Sequence, residues 1–206
     1  ALQAQINPHF MYNTLEFIRM YAVMQEQDEL CDIYYEFSSL LRNNISDERV
    51  TTVENELEFC RKYSYLCMVR YPKSIAYGFK IDPGLEKMKI PKFTIQPLVE
   101  NYFAHGVDHK RKDNVISAKL LQGEGQVMIL ITDNGRGMKE EQLESIQEML
   151  ANRNPRSEIE EKSGRQSIGI VNVHERMLLY FGDRYHIQVF SQPHHGVTYT
   201  ITIQDE

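Results

Sequence analysis

His9 stands in the stretch Ile6-Asn7-Pro8-His9-Phe10-Met11-Tyr12-Asn13. A proline inside a helix removes one amide hydrogen bond and crowds the carbonyl four residues earlier, at a cost of roughly 3 kcal/mol. A kink that presents His9 to solvent gives that cost a purpose, because neutral imidazole is a good nucleophile near pH 7 and accepts a phosphoryl group. The plain alternative is a helix that starts at Pro8, where the missing N–H is harmless. A second stretch, Asp133-Asn134-Gly135-Arg136-Gly137-Met138, follows an apolar run. Its carboxylate can accept the amino proton of adenine, and its glycines let backbone approach a base and phosphates, although Asn-Gly alone also reads as a turn. Third, Glu100 and Asn101 border an apolar helical stripe, with His105 one turn beyond Asn101. An amide oxygen suits Mg²⁺ and a carboxylate can orient or deprotonate an attacking group, whereas the bland reading is a solvated helix edge. Fourth, Gly164-Arg165-Gln166-Ser167-Ile168-Gly169-Ile170 leads into a helix, where free amides cradle phosphate or simply end a loop.

Those stretches need scaffolding, and the scaffold changes character near residue 72. Residues 1–71 hold no glycine and only Pro8, while all 11 glycines lie from Gly78 onwards. Leu15, Ile18 and Ala22, then Ile33, Phe37, Leu40 and Leu41, recur at helical spacing and predict two amphipathic helices. Thr51-Thr52-Val53-Glu54 has the form of a capping box and predicts a third helix running to Arg70. Ile75, Tyr77, Phe79 and Ile81 alternate as a strand does before Asp82-Pro83-Gly84. Ile95, Leu98, Val99, Tyr102 and Phe103 predict a helix ending at Gly106, with Pro97 in its first turn. Residues 115–121 and 126–132 predict a hairpin about Gly123-Glu124-Gly125, followed by helices over 139–151 and 169–181 and a last hairpin over 185–191 and 197–203. Helices interspersed with hairpins predict an α+β chain, with a mixed sheet covered by helices on one face.

Composition narrows the function. With 42% hydrophobic and 25% charged residues among 206, a real core can form. No run approaches the roughly 18 apolar residues that cross a bilayer. The net charge of −6 argues against direct contact with nucleic acid. Cys31, Cys60 and Cys67 are odd in number and lack metal-ligand spacing, which predicts reduced thiols. The chain opens on Ala1-Leu2-Gln3 inside what reads as helix, so a piece of a longer protein is expected.

Taken together and in order, these segments resemble the LytS/YehU-like sensor histidine kinases, whose ATP-binding domain belongs to the gyrase, Hsp90, kinase and MutL superfamily. LQAQINPHFMYNTL is similar to the phosphoacceptor box, IQPLVENYFAHG to the N box, DNGRGM to the first glycine box, and GRQSIGIVNVHERMLLYFG to the second. The resemblance implies a helical dimerisation and phosphoacceptor region over 1–72 and a Bergerat-type ATP-binding sandwich over 73–206. It implies His9 as the phosphorylated residue, Asn101 as the Mg²⁺ ligand and Asp133 as the adenine acceptor. His105, Gly135, Gly137, Met138, Ser167, Ile168 and Gly169 would line the nucleotide, with 152–167 as a lid. It further implies a homodimer through the N-terminal helices, a bacterial membrane-bound parent of which this is the cytoplasmic part, and a response regulator that takes the phosphate on an Asp. Two departures stand out: Tyr102 replaces an expected alanine, and Ala104 an expected lysine, for which Lys110, Arg111 or Lys112 could substitute. Because Phe10 and not an acid follows His9, Glu100 is the candidate base. A nucleotide-binding scaffold of weak activity is the alternative reading.

Overall fold

Glu26, with a left-handed φ of 53°, turns the chain between two helices: α1 (Pro8–Met24) and α2 (Asp28–Ile45). The computed structural model describes residues 8–45, 48–70, 74–151 and 165–205, and only the backbone of 8–12, 43–45 and 165–168. Residues 1–7, which decide between a kink and a helix start at Pro8, lie outside the described residues. The Gln27 amide donates to the Ala22 carbonyl at 3.0 Å and closes the end of α1. Asp28 and Glu29 begin α2 and Arg42 lies near its end, each where the helix dipole favours its charge. Of the predicted stripes, Ala22 and Leu40 are buried in the hairpin, but Ile18 and Phe37 each remain 42% exposed.

The chain divides into two compact units, residues 1–47 and 48–206. This break in packing precedes the composition change at 72, because helix α3 (Val53–Arg70) sends Val53, Leu57 and Cys60 into the same core as the sheet. Thr52 caps α3, accepting the Asn55 amide at 3.2 Å, and Thr51 accepts the Asn55 side chain at 3.4 Å. The cap thus sits one residue later than the predicted box, with Asn55 rather than Glu54 in its third position. Strand β1 (Val50–Thr52) pairs antiparallel with β3 (Lys89–Pro91). Three residues are too few to show alternation, so neither strand is visible in the pattern.

The main sheet comprises β2 (Ile75–Ile81), β4 (Asn114–Gly123), β5 (Gln126–Asp133), β6 (Tyr185–Ser191) and β7 (Val197–Gln204). Its order is β2-β4-β5-β7-β6, with β2 and β4 parallel and the other neighbours antiparallel. Helices α4 (Gln96–Asn101), α5 (Glu140–Ala151) and α6 (Arg165–Phe181) share the core with one face of this sheet. Val127, Ile129 and Ile131 on β5 pair with Ile203, Ile201 and Tyr199 on β7 in that layer. Asp133 is in phase with the buried set of β5, so the two-residue strand period carries its carboxylate to the helix side. No described helix is long and apolar enough to cross a membrane.

Candidate functional site

Helix α4 lasts six residues and then widens into a π turn over Tyr102–Gly106, closed by the Val107 amide donating to the Tyr102 carbonyl at 3.0 Å. The predicted helix to Gly106 is therefore two kinds of turn. Pro97 sits at the start of α4, where no intrahelical partner is lost. The wide turn delivers the Gly106 carbonyl to the loop after β5, where it accepts the Arg136 amide at 2.8 Å.

Between α4, the π turn, the end of β5, α5 and α6 lies a cavity of about 160 Å³. Met138, Ile146, Ile170 and Val197 supply its apolar walls, and Asp133 and Asn101 its acid and amide. Asp133 is 8% exposed and its Oδ1 accepts the Gly135 amide at 2.8 Å. Burial pushes its carboxyl up to about 6, against the amides of Gly135 and Val197, which pull it down. A carboxyl so placed binds a donor on a flat apolar group and is costly to ionise while none is there. The Tyr199 hydroxyl meets the Asn101 side chain, and burial pushes that hydroxyl above its ordinary range.

His105, Gly137 and Met138 join Asn101 and Asp133 on the lining, as the sequence led us to expect. Gly169 is beside Asn101: a Cβ there would stand 3.5 Å from the amide nitrogen, an ordinary contact. Ser167 and Ile168 belong to the first turn of α6, and their side chains lie outside the described residues. Most of the expected lid, residues 152–164, lies outside them too. His9 is in the first turn of α1, in the other unit, and its side chain is likewise not described. Glu100 is not on the lining. It accepts Gln96 Nε2 at 2.7 Å, and burial raises its carboxyl, whose charge is felt by Cys60, Tyr63 and Cys67 of α3.

The glycines of the loop after β5 also answer a packing need. A Cβ on Gly135 would strike the Gly106 carbonyl, and one on Gly137, at φ 65°, would strike the Gln192 carbonyl. Both glycines let main chain approach main chain. The turn between β6 and β7 braces this loop: His194 N–H donates to the Arg136 carbonyl at 2.7 Å, and Met138 N–H to Ser191 Oγ at 2.9 Å. Arg111 is occupied by both carboxylate oxygens of Asp113 at 2.9 Å and by the Asn134 carbonyl at 2.8 Å. Among the described lining residues, Arg136 is the one Lys or Arg. In the sequence it stands between the two glycines of DNGRGM. Tyr199, Ile146 and Ile170 carry no motif, and only packing brings them to the cavity.

Two family descriptions match the chain. Residues 92–206 match the histidine kinase-, DNA gyrase B- and HSP90-like ATPases, and residues 1–75 match the histidine kinases. The chain belongs to this ATPase family and, within it, to the histidine kinases. It is 32% identical over 204 residues to the sensor histidine kinase YesM of Bacillus subtilis, covering 98% of this chain and 32% of that protein. It is 29% identical over 191 residues to the sensor protein LytS of Oceanobacillus iheyensis, covering 91% and 31% respectively. The chain thus spans under a third of the length of these two curated relatives. Among solved structures, the histidine kinase domain of the Erythrobacter litoralis EL346 blue-light activated kinase aligns with TM-score 0.49 and 13% identity over 96% of this chain and 85% of that one.

Proposed function

We propose that this chain is the kinase core of a sensor histidine kinase, which binds ATP in the cavity at Asp133 and transfers its γ-phosphoryl group to His9. The buried Asp133 carboxyl on the cavity lining carries this reading: it suits the adenine amino group, and the apolar walls suit the ring. One imidazole nitrogen of His9 attacks the γ-phosphorus, the bond to the β–γ bridging oxygen breaks, ADP leaves, and the imidazole proton passes to a base. Asn101 is the residue that would hold Mg²⁺, whose charge would neutralise the phosphates. Arg136 takes the part of the missing lysine at 104. A regulator aspartate then takes the phosphoryl group from His9.

The helical hairpin suits a homodimer: Phe17, Met20, Tyr21 and Met24 on α1 and Tyr35 on α2 are all more than half exposed, and large apolar faces left open mark interaction surfaces. A phosphoacceptor region over 1–72 and an ATP-binding region over 73–206, meeting inside the second compact unit because α3 packs with the sheet, a lid over 152–167, and a membrane-bound parent complete the proposal. A second reading, a nucleotide-binding scaffold of weak activity, draws support from Ala104 and from Glu100, the candidate base, standing off the lining. Labelled γ-phosphate and Mg²⁺ separate the two in the full-length protein: acid-labile label lost in His9→Gln establishes the kinase. An unlabelled wild type that binds ATP establishes the scaffold.

A further inference from the structure

Glu56 of α3 is 4% exposed, and its carboxylate does not reach the nucleotide cavity. It accepts four consecutive backbone amides instead: Phe93 at 2.7 Å on Oε1, and Thr94 at 3.1 Å, Ile95 at 2.9 Å and Gln96 at 3.3 Å on Oε2. These amides lead into and begin α4. Ile95, at the cap position of α4, has no side-chain acceptor of its own, and Pro97 has no N–H. Glu56 is therefore the cap of α4, supplied from another helix nearly forty residues away in sequence. Phe93, at φ 64°, turns its carbonyl to Arg176 Nη2 of α6, and Thr94 Oγ1 donates to the Pro91 carbonyl at 2.6 Å. Helices α3, α4 and α6 are tied at one knot.

A six-residue helix has no independent stability, so its place depends on what anchors its ends. Asn101 closes α4 five residues after Gln96, about 8 Å along the axis. Asp133 stands on β5 and shares none of these bonds. We propose that Glu56 is a positioning residue for the nucleotide site, holding the amides of residues 93–96 so that α4 carries Asn101 to its place on the cavity lining. The inference rests on the nucleotide reading above for its functional readout, though not for its structural one. Through Glu56 a displacement of α3 reaches Asn101 directly, whereas Asp133 stands on β5 and takes no part in these bonds.

The test uses the full-length protein with Glu56→Gln and Glu56→Asp. Calorimetric titration with ADP, with and without Mg²⁺, is paired with amide hydrogen exchange. In Glu56→Gln the affinity without metal should stay within about twofold of wild type, while the gain on adding Mg²⁺ falls about tenfold, the worth of one hydrogen bond to a charged acceptor. Exchange at 94–96 and through α4 should quicken. Glu56→Asp keeps the charge but is one methylene short, and should lie between. An unchanged Mg²⁺ gain overturns the proposal, as does an equal loss of affinity with and without metal, which marks general destabilisation. If the glutamine variant does not fold, the aspartate variant is judged by the same readings. If neither folds, Glu56 is a folding determinant and the proposal fails. A wild type indifferent to Mg²⁺ refutes the metal part of the proposed function. The positioning role then stands or falls on exchange in α4 alone.

Discussion

Replacing Asp133 by Asn should stabilise the nucleotide-free protein while removing its nucleotide binding. Burial lifts this carboxyl from its ordinary 3.8 to about 6, so the folded protein holds the proton more tightly than the unfolded chain. The stability this group lends is complete below pH 4 and is lost as pH rises through 6, leaving an ionised, buried acid at neutral pH. A shift of this size corresponds to about 3 kcal/mol. Asn keeps the acceptor for the Gly135 amide but adds an N–H₂ without a certain partner, which costs about 1–2 kcal/mol. The net gain is about 1–2 kcal/mol, or a rise of about 3–6 °C in Tm for a unit of this size. Scanning calorimetry of both proteins from pH 4 to 8 checks this, read as the difference between them, because Glu56 and Glu100 are raised by burial as well. The difference should grow from pH 4 to 7 and then level. Adenosine should bind wild type more tightly as Asp133 ionises, and it is a cleaner probe than ATP, whose phosphates titrate in the same window. An Asn variant less stable than wild type at pH 7.5, or a difference flat across pH 4–7, refutes the reasoning.

Gly137→Ala should lose about 2–4 kcal/mol, from a left-handed backbone and a Cβ driven into the Gln192 carbonyl, visible as a lower midpoint in urea. Its nucleotide affinity should fall as well, since the same loop holds Met138 and Arg136 on the lining. Arg136→Ala should weaken ATP by about tenfold and adenosine hardly at all, because a cation serves the phosphates and not the base; equal losses for both ligands count against it. Glu100→Gln should bind ATP normally and lose phosphorylation of His9 if Glu100 is the base. Full phosphorylation assigns its carboxylate to the contact with Gln96 instead.

Periodicity and motif order were enough to read most of the helices and hairpins, the family, and four residues that line the cavity: Asn101, Asp133, His105 and Met138. These are local properties: a strand alternates by two and a helix repeats by 3.6, so a side chain's face is written in its near neighbours. Asp133 in phase with Val127, Ile129 and Ile131 is such a case. Boundaries were less legible. α6 begins four residues before the predicted 169, and the cap of α3 falls on Thr52 rather than Thr51. A single turn of helix is settled by whichever acceptor can reach a free amide.

What tertiary structure alone decided is held together across long separations. β1 meets β3 nearly forty residues on, Glu56 caps α4 from α3, and Tyr199 arrives beside Asn101 from β7, far along the chain. The glycines of DNGRGM carry a reason that no reading of the motif contains, since the atoms they make room for belong to Gly106 and Gln192. Glu100 and Asn101 adjoin in sequence, yet only Asn101 lines the cavity, while Glu100 is taken up by Gln96. Burial chooses between such neighbours by what else must fill the space, and that is a property of the folded whole rather than of spacing along the chain.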